Sequence, residues 1–346
     1  MDSFAKIVLA SLATIVVFAG IYCFKLHYEV AGIRVYRQEK KKDWTNIALL
    51  FAAAFLVKII YAAMYEGHGT DMNCFIAWSE MIFENGIGKF YYLDAFTDYP
   101  PGYMAILWVI AGIRHIFGVD AWSQVGRVLI KLVPILFDLS AGMLLYSMAK
   151  RKFSEGSSML LAVSYVLNPI VVLDSSVWGQ TDGVFTFCVL ATCYLCMEKK
   201  RIPAYFVFVA GVLIKPQMLI FAPILIWTII EQVFLEDFNW KKLIRDLIGG
   251  LGAIGAMFLV VVPFGLERVI PQYIETLGSY EYCTINAYNV WALLGKNWAS
   301  QSDLFLGIEC RYWGMLAIFA AVALSGFLFF KLKEDKSKYF ISMSVV

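Results

Sequence analysis

The sequence is poor in histidine and lacks the motifs of common soluble enzymes. Its three histidines, His27, His68 and His115, are too dispersed to form an obvious zinc site. Neither a Walker A sequence nor a Gly-x-Ser-x-Gly sequence is present, which excludes a P-loop and the nucleophile of an α/β hydrolase. No nucleic-acid-binding module is found. We therefore expect no cofactor and no nucleic-acid partner, although a ring of carboxylates could still hold a divalent ion.

Charged residues are also scarce, at 16% of the chain against 60% hydrophobic residues. With a mean hydropathy of +0.69, this composition excludes an ordinary soluble domain. Many stretches approach the ~20 apolar residues that cross a bilayer as a helix. The sequence therefore predicts an all-α, multi-pass membrane protein. It has no Asn-x-Ser/Thr sequon, which fits a bacterial cytoplasmic membrane.

The apolar segments predict nine spans, and basic clusters between them predict their orientation. The predicted spans are 4–24, 47–65, 128–149, 158–173, 183–197, 203–214, 218–232, 243–263 and 311–330. Because positive residues that flank spans stay in the cytoplasm, the outer loops are expected at 66–127, 174–182, 215–217 and 264–310. We divide the chain into an N-terminal span with a basic loop (1–46), a transmembrane module (47–330) and a cytoplasmic tail (331–346).

The long first outer loop is expected to contain two helices beside the membrane. Apolar residues recur at roughly helical spacing over 72–84, and Asn85-Gly86 is a typical helix stop. The stretch 103–117 begins and ends in this loop, so a crossing there would place the next basic cluster outside. We expect 103–117 to lie along the interface instead.

Asp71 is the strongest catalytic candidate, because it directly follows a predicted span in the outer loop. A carboxylate held there could take a proton from a hydroxyl of a lipid-linked substrate. The competing interpretation is that Thr70 or Asp71 is only the N-cap of the helix that follows.

Further polar residues in the outer loops are candidates for substrate binding. They are Asp98, Tyr99, Asp174, Trp178, Gln180, Asp182, Lys215, Gln217, Asn286 and Asn289. A carbohydrate-binding site needs planar polar groups for the sugar hydroxyls and an aromatic face for the C–H surface of the sugar. The structural alternatives are a stiff turn at Pro100-Pro101, an N-cap at Asp182 and turn chemistry at the asparagines.

Lys215 lies between two short apolar segments and is followed by Pro216, so we expect a tight hairpin or a broken helix. Its charge could balance a phosphate at membrane depth, although a lysine that extends to the interface is the alternative. Lys131 and Asp138 are seven residues apart and share a helix face, for which a structural role is favoured. Cys74, Cys283 and Cys310 are expected on the oxidising side, where one disulfide could form.

In order and spacing, these motifs resemble the GT-C superfamily of membrane glycosyltransferases. The residues that carry the resemblance are Gly69-Thr70-Asp71 with Trp78, Asp98-Tyr99-Pro100-Pro101-Gly102-Tyr103, Lys131 with Asp138, Asp174, Trp178-Gly179-Gln180-Thr181-Asp182, Lys215-Pro216-Gln217 with Pro223, and Asn286-Ala287-Tyr288-Asn289-Val290-Trp291-Ala292-Leu293. The sequence is most similar to bacterial mannosyltransferases related to the second mannosyltransferase of GPI-anchor assembly.

This resemblance implies a polyprenyl-phosphate-linked sugar donor, used at the outer face of the membrane. The family's catalytic base is an acid in the first outer loop, a position that Asp71 matches. The acceptor would be a hydroxyl of a glycan, lipid or protein. The family continues with more spans after this point, which is consistent with a truncated member. A transporter or flippase of lipid-linked sugars is the alternative, since it too would need a polar cavity and broken helices.

Overall fold

The computed structural model describes residues 44–93, 95–236, 238–278, 281–287, 289–332 and 335–346, and nearly all regular structure in them is helical. The predicted span 4–24 and the basic loop after it lie outside the described residues. The described chain forms two compact units, one of residues 44–86 with Met104–Ala191 and one of Ile87–Tyr103 with Thr192–Val346. We call them unit 1 and unit 2 and describe each by itself.

Unit 1 is built on long apolar helices joined by short loops. Its elements are α1 (Trp44–Met64), α2 (Gly69–Asn85), α3 (Pro101–Phe117), α4 (Gln124–Ala149), α5 (Glu155–Val166), α6 (Pro169–Val172), a π-helical turn (Leu173–Trp178) and α7 (Asp182–Met197). The chain passes between the units after Gly86, within α3 after Tyr103, and within α7 after Ala191.

The core of unit 1 forms where α1, α4 and α5 pack together. Ile47 and Phe51 of α1, Tyr146 of α4 and Val166 of α5 are buried in one apolar cluster. A Cβ atom on Gly142 would come within 2.3 Å of the Val166 side chain. This position of α4 must therefore be glycine for α5 to approach so closely.

A buried ion pair connects three elements of unit 1. The Lys58 ammonium lies 2.7 Å from the Asp138 carboxylate and 2.9 Å from the Ser175 hydroxyl. Lys58 and Asp138 are almost fully buried, so each charge depends on the other. The pair fixes α1, α4 and the π-helical turn relative to one another, which supports the structural interpretation of Asp138.

Unit 2 contains shorter and more broken helices. Its elements are a 3-10 helix (Ile87–Tyr92), α8 (Arg201–Ile214), a 3-10 helix (Pro216–Phe221), α9 (Ala222–Ile229), a π-helical turn (Ile230–Leu235), α10 (Trp240–Val261), a 3-10 turn (Val262–Phe264), α11 (Leu266–Gly278), α12 (Val290–Leu293), β1 (Leu304–Phe305), β2 (Ile308–Glu309), α13 (Cys310–Lys331) and α14 (Lys338–Val345). Strands β1 and β2 form an antiparallel hairpin.

An apolar cluster and a charged pair hold the helices of unit 2. Phe329 of α13 packs with Tyr339 of α14 and Ala204 of α8. Arg201 of α8 donates two hydrogen bonds, of 2.9 and 2.7 Å, to the carboxylate of Asp246 on α10. This bidentate pair joins α8 to α10 in a fixed register.

Five helical segments of the described chain are long and apolar enough to cross a membrane. They are Thr45–Met64, Gln124–Ala149, Pro216–Leu235, Trp240–Phe264 and Cys310–Lys331. The bent pair Glu155–Val166 and Pro169–Trp178 makes a sixth if it counts as one span. Nine spans are therefore not confirmed. One reason is that α8, within which the span 203–214 was predicted, has only 14 residues, fewer than the ~20 that cross a bilayer.

Both helices predicted in the first outer loop are present as helices. The predicted helix 72–84 is α2, which buries Met72, Phe75 and Ile82 and is followed by its C-cap Gly86, where φ is +82°. The predicted interfacial stretch 103–117 falls within α3. That both helices lie beside the membrane stays a prediction.

Candidate functional site

Two side chains of α4 fix the end of α1, directly before the candidate base. The Lys131 ammonium donates to the carbonyl oxygens of Tyr65 (2.5 Å) and Ala62 (3.3 Å). The Gln124 amide donates to the same two oxygens, at 2.9 and 3.0 Å. These carbonyls lie at the C-terminal end of a helix and have no partner within it, so the two donors satisfy them and hold the chain that leads to α2.

Asp71 lies in the first turn of α2 and receives hydrogen bonds on one carboxylate oxygen. Its Oδ2 accepts from Trp178 Nε1 at 2.6 Å and from Gln180 Nε2 at 2.6 Å. His68 Nδ1 lies 3.3 Å from the same oxygen. Donors that converge on a single oxygen restrict the orientation of the carboxylate.

The loop that carries Trp178 and Gln180 is itself held in place by backbone hydrogen bonds. The Asp174 carbonyl oxygen accepts from the amides of Gly179 (2.8 Å) and Gln180 (3.1 Å). The His68 amide donates to the Trp178 carbonyl oxygen at 3.0 Å, which joins this loop to the start of α2. The indole and amide that contact Asp71 are thus positioned by the main chain on both sides.

Gly179 allows this loop to turn tightly over its neighbours. Its φ is +92°, a left-handed conformation that L residues rarely adopt. A Cβ atom there would lie 2.4 Å from the Met72 methyl and 3.3 Å from the Lys131 side chain. The position therefore requires glycine for both its conformation and its packing.

An aromatic pair lies beside the carboxylate. The rings of His68 and Trp178 are stacked, with centroids 4.4 Å apart and planes 16° from parallel. The Trp178 residue is 39% exposed although its nitrogen is hydrogen-bonded. The cluster of Asp71, His68, Trp178 and Gln180, which we call the Asp71 cluster, thus combines an anion, an amide and aromatic faces at an accessible surface.

The competing interpretation, in which Thr70 or Asp71 is the N-cap of α2, is wrong. The N-cap residue is His68, whose side chain makes no capping hydrogen bond, and Asp71 lies within the first turn. The Asp71 carboxylate bonds instead to side chains more than 100 residues away in the sequence.

Two further candidate acids also lie in unit 1. Asp182 is the first residue of α7, and Asp174 lies in the π-helical turn.

Lys215 lies in unit 2, at a break between helices. Helix α8 ends at Ile214, Lys215 is extended, and a 3-10 helix begins at Pro216. This break agrees with the expected interruption at Pro216. The Lys215 ammonium lies 5.9 Å from the centroid of the Tyr99 ring, a cation–π contact. Gln217 is exposed on the 3-10 helix that follows.

Asp98 and Tyr99 line a small cavity of unit 2, with Tyr91, Thr97, Pro216, Gln272 and Tyr273. Its volume of about 20 Å³ is enough for a water molecule and too small for a sugar. Burial raises the pKa of the Tyr91 and Tyr273 hydroxyls, so both stay protonated. The Tyr91 hydroxyl donates to the Tyr99 carbonyl oxygen at 2.9 Å.

Asn286 and Asn289 both take part in local hydrogen bonds of unit 2. The Asn289 side chain accepts from the amides of Trp291 (3.0 Å) and Ala292 (3.1 Å), which makes it the N-cap of α12. The Asn286 side chain accepts from the Asn297 amide group at 3.0 Å. These contacts agree with the alternative interpretation of turn chemistry. Tyr288, between them, lies outside the described residues.

His68 is the residue of this cluster that sequence reasoning missed. It was considered only as a metal ligand, and within the described part of the chain no three His, Cys, Asp or Glu side chains are grouped as metal ligands would be. The available signal was its spacing, since positions i and i+3 at a helix start bring His68 and Asp71 together.

Comparison with known proteins supports the identification of this protein as a glycosyltransferase. No curated protein matches the chain. Residues 98–266 match the model of a family described as dolichyl-phosphate-mannose-protein mannosyltransferase. The match covers Asp98, Trp178, Gln180 and Lys215 and begins after Asp71. Together with the apolar helices, it supports an integral membrane glycosyltransferase that is similar to this mannosyltransferase family.

Proposed function

We propose that this protein transfers a sugar, mannose, from a polyprenyl-phosphate donor to an acceptor hydroxyl, with inversion at the anomeric carbon and at the extracytoplasmic face of the membrane. Asp71 is the general base. The match over 98–266 supports the class of donor, because that family is described by a lipid-phosphate-linked mannose. The distribution of basic clusters supports the orientation.

The observation that carries the proposal is the set of hydrogen bonds on Asp71 Oδ2. A base must be within hydrogen-bond reach of its proton and held there by its surroundings. Trp178 and Gln180 hold Oδ2, and none of the described residues donates to the other oxygen, Oδ1. A carboxylate anchored through one oxygen presents the second to a substrate hydroxyl.

The surroundings of Asp71 suit a carbohydrate. The partly exposed Trp178 indole, backed by the His68 ring, offers a flat face for the C–H surface of a sugar. The Gln180 amide and the carboxylate supply planar polar groups for sugar hydroxyls.

The proposed reaction is a single displacement. Asp71 accepts the proton of the acceptor hydroxyl as its oxygen forms a bond to the anomeric carbon. The bond from that carbon to the phosphate oxygen breaks, and the lipid phosphate leaves with the electron pair. A glycosyl phosphate is a good leaving group, so no covalent enzyme intermediate and no second catalytic carboxylate are needed.

The remaining candidates stay proposals for substrate binding. They are Asp98, Tyr99, Asp174, Asp182, Lys215, Gln217, Asn286 and Asn289. Lys215 is proposed as a counter-charge for a phosphate, since its ammonium lies at a helix break rather than within a regular span.

The test uses purified full-length protein in vesicles with radiolabelled polyprenyl-phosphate mannose and a panel of acceptors. Labelled product that accumulates with time and requires both substrates supports the proposal. Label that only changes leaflets would assign the protein to the transporters and overturn it. Vesicles without protein control for spontaneous movement of the lipid.

A further inference from the structure

Unit 2 carries a groove between α8 and α10, the two helices that pack together beside the Arg201–Asp246 pair. Its volume is about 510 Å³, which lies in the ~300–1,000 Å³ range of pockets that bind small molecules. Residues three or four positions apart share one face of a helix, and such residues line the groove from both sides. They include Ile202 and Phe206 of α8 and Lys241, Ile244, Arg245 and Ile248 of α10.

Two glycines of α10 shape the groove. A Cβ atom on Gly249 would lie 2.8 Å from the Ile202 side chain, so the two helices approach closely at this point. A Cβ atom on Gly252 would have its nearest neighbour, the Phe206 ring, at 3.7 Å, which is ordinary van der Waals contact. Because Gly252 is exposed, the space that a larger side chain would fill there stays open.

The groove is basic at one end and apolar along the rest of its length. Lys241 and Arg245 lie in the first two turns of α10, at the end of a helical segment that is long and apolar enough to cross a membrane. Both residues are exposed, and no acid of the described chain forms an ion pair with either side chain. The neighbouring Asp246 is already neutralised by Arg201. The N-terminal end of the α10 dipole adds further positive charge.

We propose that this groove binds an anionic diacyl phospholipid. One acyl chain lies against Ile244, Ile248 and Phe206, and the phosphate lies at Lys241 and Arg245. Such a lipid matches both chemistries of the groove in their order along α10, since basic residues at the end of a span attract anionic headgroups. A free anion would leave the apolar part of the groove uncovered, and an apolar protein helix would leave two cations without a counter-charge. Lipid binding here does not depend on the proposed sugar transfer.

The test uses the full-length protein in phosphatidylcholine vesicles with a trace of phosphatidylglycerol that carries a photoreactive diazirine in one acyl chain. After irradiation, the labelled residues are mapped by digestion and mass spectrometry. We expect label on the groove faces of α8 and α10, at residues such as Phe206 and Ile248. Unlabelled phosphatidylglycerol should compete for this labelling, whereas added phosphatidylcholine and soluble glycerol phosphate should not.

Three outcomes of this experiment would overturn the proposal. Equal competition by phosphatidylcholine would mean that α8 and α10 contact only bulk lipid. Competition by glycerol phosphate would indicate a site for a free anion. Label that is missing from the groove residues of the wild-type protein would mean that another protein segment or a second copy of the chain covers them.

Charge variants test the basic end of the groove. Lys241→Gln with Arg245→Gln removes both cations, so the labelling should fall by about 10-fold or more. The matched control is Lys152→Gln with Lys336→Gln, which removes two exposed positive charges outside the groove and should leave the labelling unchanged. Wild-type labelling in the first double variant, or an equal loss in both, would contradict a headgroup site at Lys241 and Arg245.

Glycine variants test the apolar part of the groove. Gly252→Leu places a side chain in the space assigned to the acyl chain and should reduce the labelling severalfold. Gly250→Leu is the matched control, because Gly250 lies on the opposite face of α10 and a Cβ atom added there would have nothing within 4 Å. Leucine favours a helix more than glycine does, so neither variant should melt below the wild type. Undiminished labelling of Gly252→Leu would show that the acyl chain does not lie in the groove.

Discussion

The indole nitrogen of Trp178 donates a 2.6 Å hydrogen bond to the Oδ2 atom of Asp71, across 107 positions of sequence. The contact joins the end of a π-helical turn to the first turn of α2. It anchors one carboxylate oxygen through a hydrogen bond, and the Gln180 amide donates a second hydrogen bond to the same oxygen. This pairing is the basis for the role proposed for Asp71.

Removing only the indole N–H of Trp178, which donates to Asp71, should slow sugar transfer. Trp178→Phe keeps an aromatic ring for the stack with His68 but loses the N–H. A hydrogen bond to a charged group contributes ~1.5–3 kcal/mol, so we expect turnover to fall by about 10-fold or more with the melting temperature little changed. Trp122→Phe, at an exposed tryptophan of unit 1, is the control. Equal turnover in the two variants would argue against the positioning role.

Gly179 is expected to tolerate no side chain. Gly179→Ala places a Cβ 2.4 Å from the Met72 methyl and displaces the loop that carries Trp178 and Gln180. The matched control is Gly118→Ala, since Gly118 also has positive φ (+62°) but a Cβ added there would have nothing within 4 Å. Both variants carry backbone strain of about 1 kcal/mol. Initial rates should fall sharply for Gly179→Ala alone, and similar rates in both variants would count against the tight fit.

The Lys58–Asp138 pair should contribute to stability as a unit. Asp138→Leu leaves a buried ammonium without its partner, which costs ~3–5 kcal/mol. Replacing both residues, by Lys58→Met with Asp138→Leu, removes both charges and should cost much less. Thermal unfolding of the detergent-solubilised variants measures this. The single variants Asp138→Leu and Lys58→Met are compared with the double variant. If the loss of stability in the double variant equals the sum of the losses in the two single variants, the two side chains do not act as a pair.

A surface contact of unit 2 should give a pH-dependent contribution to stability. The Tyr92 hydroxyl donates to the Glu267 carboxylate, which lowers the pKa of Glu267 from 4.5 and raises that of Tyr92 from 10.0. The lowered carboxyl pKa gives stability that is present above pH 4.5 and lost as the pH falls through the folded value. The raised phenol pKa gives stability that is present below pH 10.0 and lost as the pH rises through the folded value.

Tyr92→Phe should therefore lower the unfolding temperature slightly near neutral pH. The difference from wild type should shrink in acid and again in strong alkali. Tyr282→Phe, at another exposed tyrosine of unit 2, serves as the control. A difference that stays constant from pH 3 to above pH 10.0 would show that the hydrogen bond is not its cause.

Local features of this fold could be predicted from the sequence, because they depend on neighbouring residues. The apolar spacing over 72–84 predicts α2 to within a few residues, and Pro216 predicts the break after α8. The division into nine spans was less successful. Apolar blocks at 203–214 and 158–173 form a short helix and part of a bent pair, and hydropathy does not report bends.

The partners of Asp71 could not be predicted in this way. An acid just before a run of helical spacing is most often a cap, and nothing in the local pattern brings Trp178 or Gln180 to it. Those contacts depend on α1, α4 and the π-helical turn packing together around Lys58 and Asp138. Such long-range packing depends on residues throughout unit 1. The order of the motifs therefore indicates Asp71 as a base but does not indicate the groups that orient it.

The most direct test of the proposed role of Asp71 is sugar transfer by Asp71→Asn. The amide has the same shape but cannot accept the proton of the acceptor hydroxyl. Asp120→Asn, at an exposed acid of unit 1, is the matched control. With radiolabelled polyprenyl-phosphate mannose and an acceptor that the wild type uses, we expect Asp71→Asn to melt normally and form no product above background, while Asp120→Asn keeps wild-type turnover. Wild-type turnover by Asp71→Asn would contradict the assignment.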